Sequence, residues 1–180
     1  VEYQPIYSLK KERYLNIEAL MRLNIKNLGN ISPNEFIPLA EDTYLIIELG
    51  NILVSEVCNF MKMLEKNNVQ YEKLSVNVSS IQLFDKTFAN NLTRILKDND
   101  IPASKLNLEL TESIMISDYD NLYSTIKELR SRGFGISLDD YGTGYSNYVK
   151  LAKLPFDEIK IDKSILHYIM NVETEYITLS

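Results

Sequence analysis

Glu18, Asn77, Glu109, Asp139 and Asp140 offer four carboxylates and one amide oxygen, and Lys160 adds an amine. Gathered in one place without compensation, the acids would repel one another and raise each other's pKa values. A divalent cation removes that conflict. An all-oxygen donor set points to Mg²⁺ or Mn²⁺, with Ca²⁺ as the alternative and zinc disfavoured because no His or Cys lies on these segments. The adjacent pair Asp139 and Asp140 suits two ions about 3.5–4 Å apart, the spacing used for in-line phosphoester hydrolysis. Lys160 is then the one cation among acids. It is placed to position an attacking water, accept its proton or steady a developing negative charge.

Such a gathering needs elements that aim every group the same way, and the flanking residues supply them. Leu106, Leu108 and Leu110 alternate with Asn107, Glu109 and Thr111. Val76 and Val78 flank Asn77, Ile136 and Leu138 alternate with Ser137 and Asp139, Ile159 and Ile161 flank Lys160, and Ile17 and Ala19 flank Glu18. Successive side chains of a strand point to opposite faces, so each segment has one apolar face and one face carrying the reactive group.

Between these strands the sequence predicts helices. Ser32-Pro33-Asn34-Glu35 reads as a helix start, with Ser as N-cap, Pro at the first helical position and Glu as capping-box partner. A long helix follows with Leu49, Leu53, Val57, Phe60 and Leu64 on one stripe, ended by Asn67-Asn68. Others are expected around Phe88 to Leu96 and from about Asp118 to Arg132, the second buried through Leu122, Ile126 and Leu129 and closed by Gly133. Tyr3 to Leu9 and Tyr14 to Leu23 read as two strands, and the chain beyond the Phe134 to Leu138 strand as a loop through Ser146, a short helix to Leu151 and a strand at Phe156 to Ile161. Alternating strands and helices predict parallel βα units. One polar strand face argues against an open sheet covered on both sides and for an α/β, modified TIM-type (β/α) barrel whose polar groups sit at the C-terminal ends of the strands. About six strands are legible, and the last helix-like segment, with Ile165, Ile169 and Val172, runs toward Ser180. The expectation is one domain over residues 1–180 with the last two βα units missing.

At 180 residues, 45% hydrophobic and 24% charged, the chain suits a soluble domain with a sizeable core. No apolar run reaches the roughly 18–20 residues of a membrane span. A single cysteine, Cys58, precludes an intrachain disulfide and fits a reducing, cytoplasmic setting. The net charge of −6 argues against a Lys/Arg-built surface for DNA but leaves metal-bridged phosphates open. Plainer readings exist residue by residue: Ser79 and Gln82 form a capping box that accounts for Asn77 as a turn residue, Lys160 suits an ion pair with Asp162, and His167 reads as a surface residue. The conjunction of like placements on five strands outweighs them.

These residues are also motifs. Glu18-Ala19-Leu20 resembles the signature tripeptide of EAL domains, bacterial phosphodiesterases of cyclic di-GMP, and the resemblance extends along the whole chain. It includes Tyr3-Gln4-Pro5-Ile6, Arg22, Phe36-Ile37-Pro38-Leu39-Ala40-Glu41, Asn77-Val78-Ser79, Glu109-Leu110-Thr111-Glu112-Ser113, the run from Asp139 to Ser146 and Lys160-Ile161-Asp162. The resemblance implies hydrolysis of cyclic di-GMP to linear pGpG with two Mg²⁺ or Mn²⁺ ions. Glu18, Asn77, Glu109 and Asp139 then look like metal ligands, Asp140 a ligand of the second metal, and Lys160 the lysine on the attacking water. Gln4 and Arg22 resemble substrate contacts, and Glu112 the anchor of the loop from Asp140 to Ser146, which couples dimerisation to activity in the family. A homodimer, with GGDEF or sensor domains elsewhere in a full-length protein open to membrane anchoring, is the associated expectation. Tyr141 stands where Phe is usual and Leu23 where Trp is common. The family's later glutamate and glutamine motifs lie beyond Ser180, so poor activity is expected of residues 1–180 alone. The competing class is a degenerate EAL domain that binds cyclic di-GMP or a protein without hydrolysis.

Overall fold

Six strands hydrogen-bond in the order β1 (Glu2–Ser8), β2 (Arg13–Leu20), β5 (Lys73–Val78), β6 (Leu106–Thr111), β7 (Gly135–Tyr141), β8 (Glu158–Ile161) in this computed structural model. The structure describes residues 1–116, 119–142 and 151–171. The expected helix start at Asp118, the loop residues Thr143 to Ser146, the helix leading to Leu151 and Val172 lie outside them. Strands β1 and β2 pair antiparallel across the charged turn; every later pairing in the sheet is parallel. The sheet curls into a half-barrel with helices on its outer side.

The helices follow their predicted signals. α1 (Pro33–Asp42) begins at Ser32, whose hydroxyl accepts the Asn34 N–H at 3.3 Å; the expected capping-box partner Glu35 makes no hydrogen bond back to Ser32 among the described contacts. The long α2 (Leu45–Lys66) ends at Asn67 as C-cap, with Asn68 beyond it in the left-handed region. Its buried stripe is Ile46, Gly50, Leu53, Val54, Val57, Cys58, Met61 and Leu64, so Leu49 and Phe60 sit on the shoulders of the expected stripe. α3 (Ser80–Leu83) carries the full Ser79–Gln82 capping box, and α4 (Phe88–Asp98) and α5 (Tyr119–Ser131) complete the layer. Gly133 closes α5 at φ +97, its N–H on the Arg130 carbonyl at 2.9 Å. Leu122, Ile126 and Leu129 of α5 pack with Leu108, Leu110 and Ile136 of the sheet, all fully buried. Burying a leucine contributes about 1.5–3 kcal/mol, so this face is one main source of the hydrophobic stabilisation.

Two departures have physical causes. The expected strand from Tyr14 to Leu23 stops at Leu20, and a separate hairpin, β3 (Leu23–Ile25) with β4 (Gly29–Ile31), follows. Gly29, at φ +74, makes that reversal. On β8 the outward Ile159 and Ile161 remain 45% and 54% exposed, because α6 (Lys163–Asn171) leaves their face open among the described residues.

Candidate metal centre

Strand pairing brings the acids side by side in a staggered row, with a two-residue step between β2 and β5 and another between β6 and β7. Glu18 on β2 lies opposite Gln4 on β1, Asn77 on β5 opposite Glu109 on β6, and Thr111 on β6 opposite Asp139 on β7. With period-2 alternation, Glu18, Asn77, Glu109, Asp139 and Lys160 all face inward near the C-terminal ends of their strands. One carboxylate oxygen each from Glu18, Glu109 and Asp139 falls within 4.8 Å of the other two.

Lys160 Nζ sits among them, 2.7 Å from Glu109 Oε2, 3.2 Å from Glu18 Oε2 and 3.4 Å from Asp139 Oδ1. Asn77 Nδ2 donates to Glu18 Oε1 at 3.0 Å. The plainer alternative, a Lys160–Asp162 pair, does not form among the described residues; Asp162 accepts the Ser164 N–H at the start of α6. Glu109 is 1% exposed, and burial lifts its carboxyl above the ordinary range while Lys160 pulls against that shift. Burial would lower Lys160, but its hydrogen bond to Glu109 and the surrounding carboxylates outweigh it and hold the ammonium above its usual value. One ammonium against three carboxylates leaves the centre negative. The donor set is oxygen throughout, and its middle is already arranged around a cation. Both features fit a hard divalent ion.

Asp140 lies outside the tight cluster. The β7–β8 register shifts between Leu138 and Tyr141, and Asp140 adopts φ 53 there. This bulge turns it to the wall of a cavity of about 550 Å³ that also has Arg22, Asn77, Glu41, Ile37 and Gln82 on its lining. Burial, then the charges of Asp139 and Asp162, push the Asp140 carboxyl up. Arg22 points Nε at Glu2 Oε2, 2.8 Å away, and donates to the Met21 carbonyl at 3.0 Å. Exposed pairs of this kind contribute little, so an anion in the cavity competes readily for the guanidinium. Gln4 is exposed beside Glu18. Glu112, buried on a short 3₁₀ turn (Glu112–Ile116), accepts the Gly142 N–H at 2.8 Å, so the start of the loop after β7 is tied to β6.

A second polar layer lies below the acids: Ser75, Asn107 and Ser137, all buried. Counting back two residues from Asn77, Glu109 and Asp139 gives those three positions, a signal available in the alternation. The cavity walls on α1 and Gln82 had no such signal.

Comparison with known proteins gives a family match over nearly the whole chain. The family model described as EAL domain matches residues 1–178. A cyclic di-GMP phosphodiesterase of Pseudomonas aeruginosa is 38% identical over 162 residues, 90% of this chain and 27% of that protein. The bifunctional diguanylate cyclase/cyclic di-GMP phosphodiesterase MucR of the same organism is 33% identical over 167 residues, 93% of this chain and 24% of that protein. The chain thus spans about a quarter of these relatives' length. Among solved structures, the MucR phosphodiesterase in complex with c-di-GMP superimposes with a TM-score of 0.85 at 33% identity, covering 94% of this chain and 68% of the other.

Proposed function

The chain belongs to the EAL domain family, and we propose that the protein containing it hydrolyses one phosphodiester of cyclic di-GMP to linear pGpG with two Mg²⁺ or Mn²⁺ ions. The observation that carries this reading is the convergence of Glu18, Glu109 and Asp139 oxygens within 4.8 Å around Lys160. Glu18, Asn77, Glu109 and Asp139 would hold the ions, with Asp140 at the second. Bound there, the ions would lower the pKa of a water and offset phosphate charge. The chain's own groups do the rest. Arg22, on the wall of the cavity, gives up its exposed pairing with Glu2 for a substrate phosphate, and Gln4 contacts the substrate beside Glu18. Lys160, held protonated by its neighbours, orients the attacking water and offsets negative charge building on the phosphorus oxygens. Glu112 fixes the loop beginning at Gly142, through which a homodimer would modulate the site. GGDEF or sensor domains and a cytoplasmic setting for this domain belong to the same proposal.

The test is cyclic di-GMP turnover by the full-length protein with Mg²⁺ or Mn²⁺, compared with Glu18→Ala and Lys160→Met. Glu18→Ala should abolish pGpG formation. Lys160→Met should lower kcat by about 10²-fold or more with binding largely kept. Tight binding without turnover in the parent protein would contradict hydrolysis, and full activity in Lys160→Met would remove the lysine from the mechanism.

A further inference from the structure

β8, which carries Lys160, is the shortest strand of the sheet, four residues from Glu158 to Ile161. Burial of one strand face normally fixes register, because a slip of one residue carries every side chain to the other face. β5, β6 and β7 have that safeguard in the sealed Val76, Leu108 and Ile136. β8 lacks it among the described residues, since Ile159 and Ile161 stay about half exposed. Something else must set its register.

Asp157, just before the strand, makes the contacts to do so. Its N–H donates to the Ile136 carbonyl at 2.8 Å, and its Oδ2 accepts the Ile136 N–H at 2.9 Å. In a regular parallel ladder that Ile136 N–H would go to the carbonyl of Pro155. The Pro155 carbonyl instead accepts from Arg130 Nη1 of α5, and the same nitrogen lies 2.9 Å from Asp157 Oδ1. The Asp157 carboxylate thus takes the place of a backbone acceptor, with Arg130 holding it from the helix layer. From this clasp the ladder runs through Ser137 with Glu158 and Leu138 with Ile159, then shifts, and resumes at Tyr141 with Ile161. Lys160 falls inside the shift, so its position is set from the two ends. The downstream end is held by backbone, the Asp162 N–H on the Tyr141 carbonyl at 3.1 Å; the upstream end is held by a carboxylate.

We propose that Asp157 is a positioning residue for Lys160: its carboxylate, clasped by Arg130, fixes the β7–β8 register that delivers the ammonium to Glu18, Glu109 and Asp139. This rests on the reading of Lys160 as the group that orients the attacking water. A misplacement of about 1 Å near a reacting group can cost about 10²-fold in rate, so a loosened β8 is felt in turnover more than in substrate binding.

The experiment is a double-mutant cycle on the full-length protein, following cyclic di-GMP turnover in the parent, Asp157→Ala, Lys160→Met and the two combined, with Asp157→Asn as control. Asp157→Ala should lower kcat about 10-fold or more with KM within about 3-fold. Added to Lys160→Met it should cost less than about 2-fold, because the lysine through which it acts is gone. Asp157→Asn keeps an oxygen for the Ile136 N–H and should stay within about 3-fold of the parent. Additive losses in the combined variant would show a route that bypasses Lys160, and Asn as damaging as Ala would trace the effect to charge; either overturns the proposal. Should Asp157→Ala not fold, Arg130→Met, which frees the carboxylate from the helix layer, takes its place with a several-fold loss expected. Parent-like kcat or additivity there overturns the proposal as well. Full activity in Lys160→Met would instead remove the reading of the lysine beneath it. A crystal structure of Asp157→Ala, or of Arg130→Met in its place, decides the point without turnover: Lys160 Nζ should leave hydrogen-bond reach of Glu109 Oε2, and a contact kept at 2.7 Å would overturn the proposal.

Discussion

Glu109 shows at the scale of one residue how the site depends on charge. Burial raises its carboxyl from the ordinary 4.5, so its folded pKa exceeds its unfolded one. Between those values the native state holds more protons than the unfolded chain, and metal-free stability falls as pH rises through that window. Lys160 stays charged throughout, being held above its usual range. A divalent ion takes only the ionised carboxylate, so the stabilisation it brings should grow across the same interval. The increase in melting temperature on adding Mn²⁺ should therefore be larger at about pH 7.5 than at about pH 5; equal increments at both would contradict this account. The inward residues were legible because a strand's side-chain period is 2, which also exposes Asn107 and Ser137 once one member is fixed. The tight pairing of Lys160 with Glu109, Glu18 and Asp139 was not, since a one-dimensional pattern gives direction but not reach. Asp140 is a different case: its place next to Asp139 is legible in the sequence, but the register shift that turns it to the cavity wall is not.

At the scale of elements, Gly50 and Gln82 tie the long helix to the segment carrying Asn77. A Cβ at Gly50 would lie 1.9 Å from Gln82 Nε2. Gln82 is not free to swing aside, because its Oε1 accepts the Ser79 N–H at 3.1 Å and closes the capping box of α3. Ala is favoured over Gly inside a helix by about 0.8–1 kcal/mol, so two effects oppose each other. In the parent the clash should win: Gly50→Ala destabilises by about 1–3 kcal/mol. In a Gln82→Ala background the same substitution should become stabilising by up to about 1 kcal/mol. Urea unfolding of the four proteins in this cycle measures it, and a cost for Gly50→Ala that does not depend on Gln82 would rule out the coupling. The capping box itself was readable from Ser79-x-x-Gln82. The close approach to Gly50 was not, because it depends on where α2 crosses α3, which no local pattern encodes. The hairpin of β3 and β4 was missed on similar grounds: strand-forming residues continue past Leu20, and only the turn at Gly29 separates them.

At the scale of the whole molecule, the site unites residues up to 142 positions apart, from Glu18 to Lys160. The parallel barrel order was predictable from alternating strands and helices, and the described sheet of six strands follows it. What the pattern did not convey was uneven coverage: Val76, Leu108 and Ile136 are sealed, while Ile159 and Ile161 on β8 stay half exposed although their alternation is the same. Burial depends on what packs across a face, not on the face's own composition. An ion bound by four strands should hold this assembly together, and the most direct measurement is where such an ion sits. Crystals of the full-length protein grown with Mn²⁺ should show anomalous scattering within coordination distance, about 2.0–2.2 Å, of the Glu18, Glu109 and Asp139 oxygens, with the Lys160 ammonium displaced from their centre. Strong anomalous density elsewhere, with Lys160 still seated among the three carboxylates, would contradict the account.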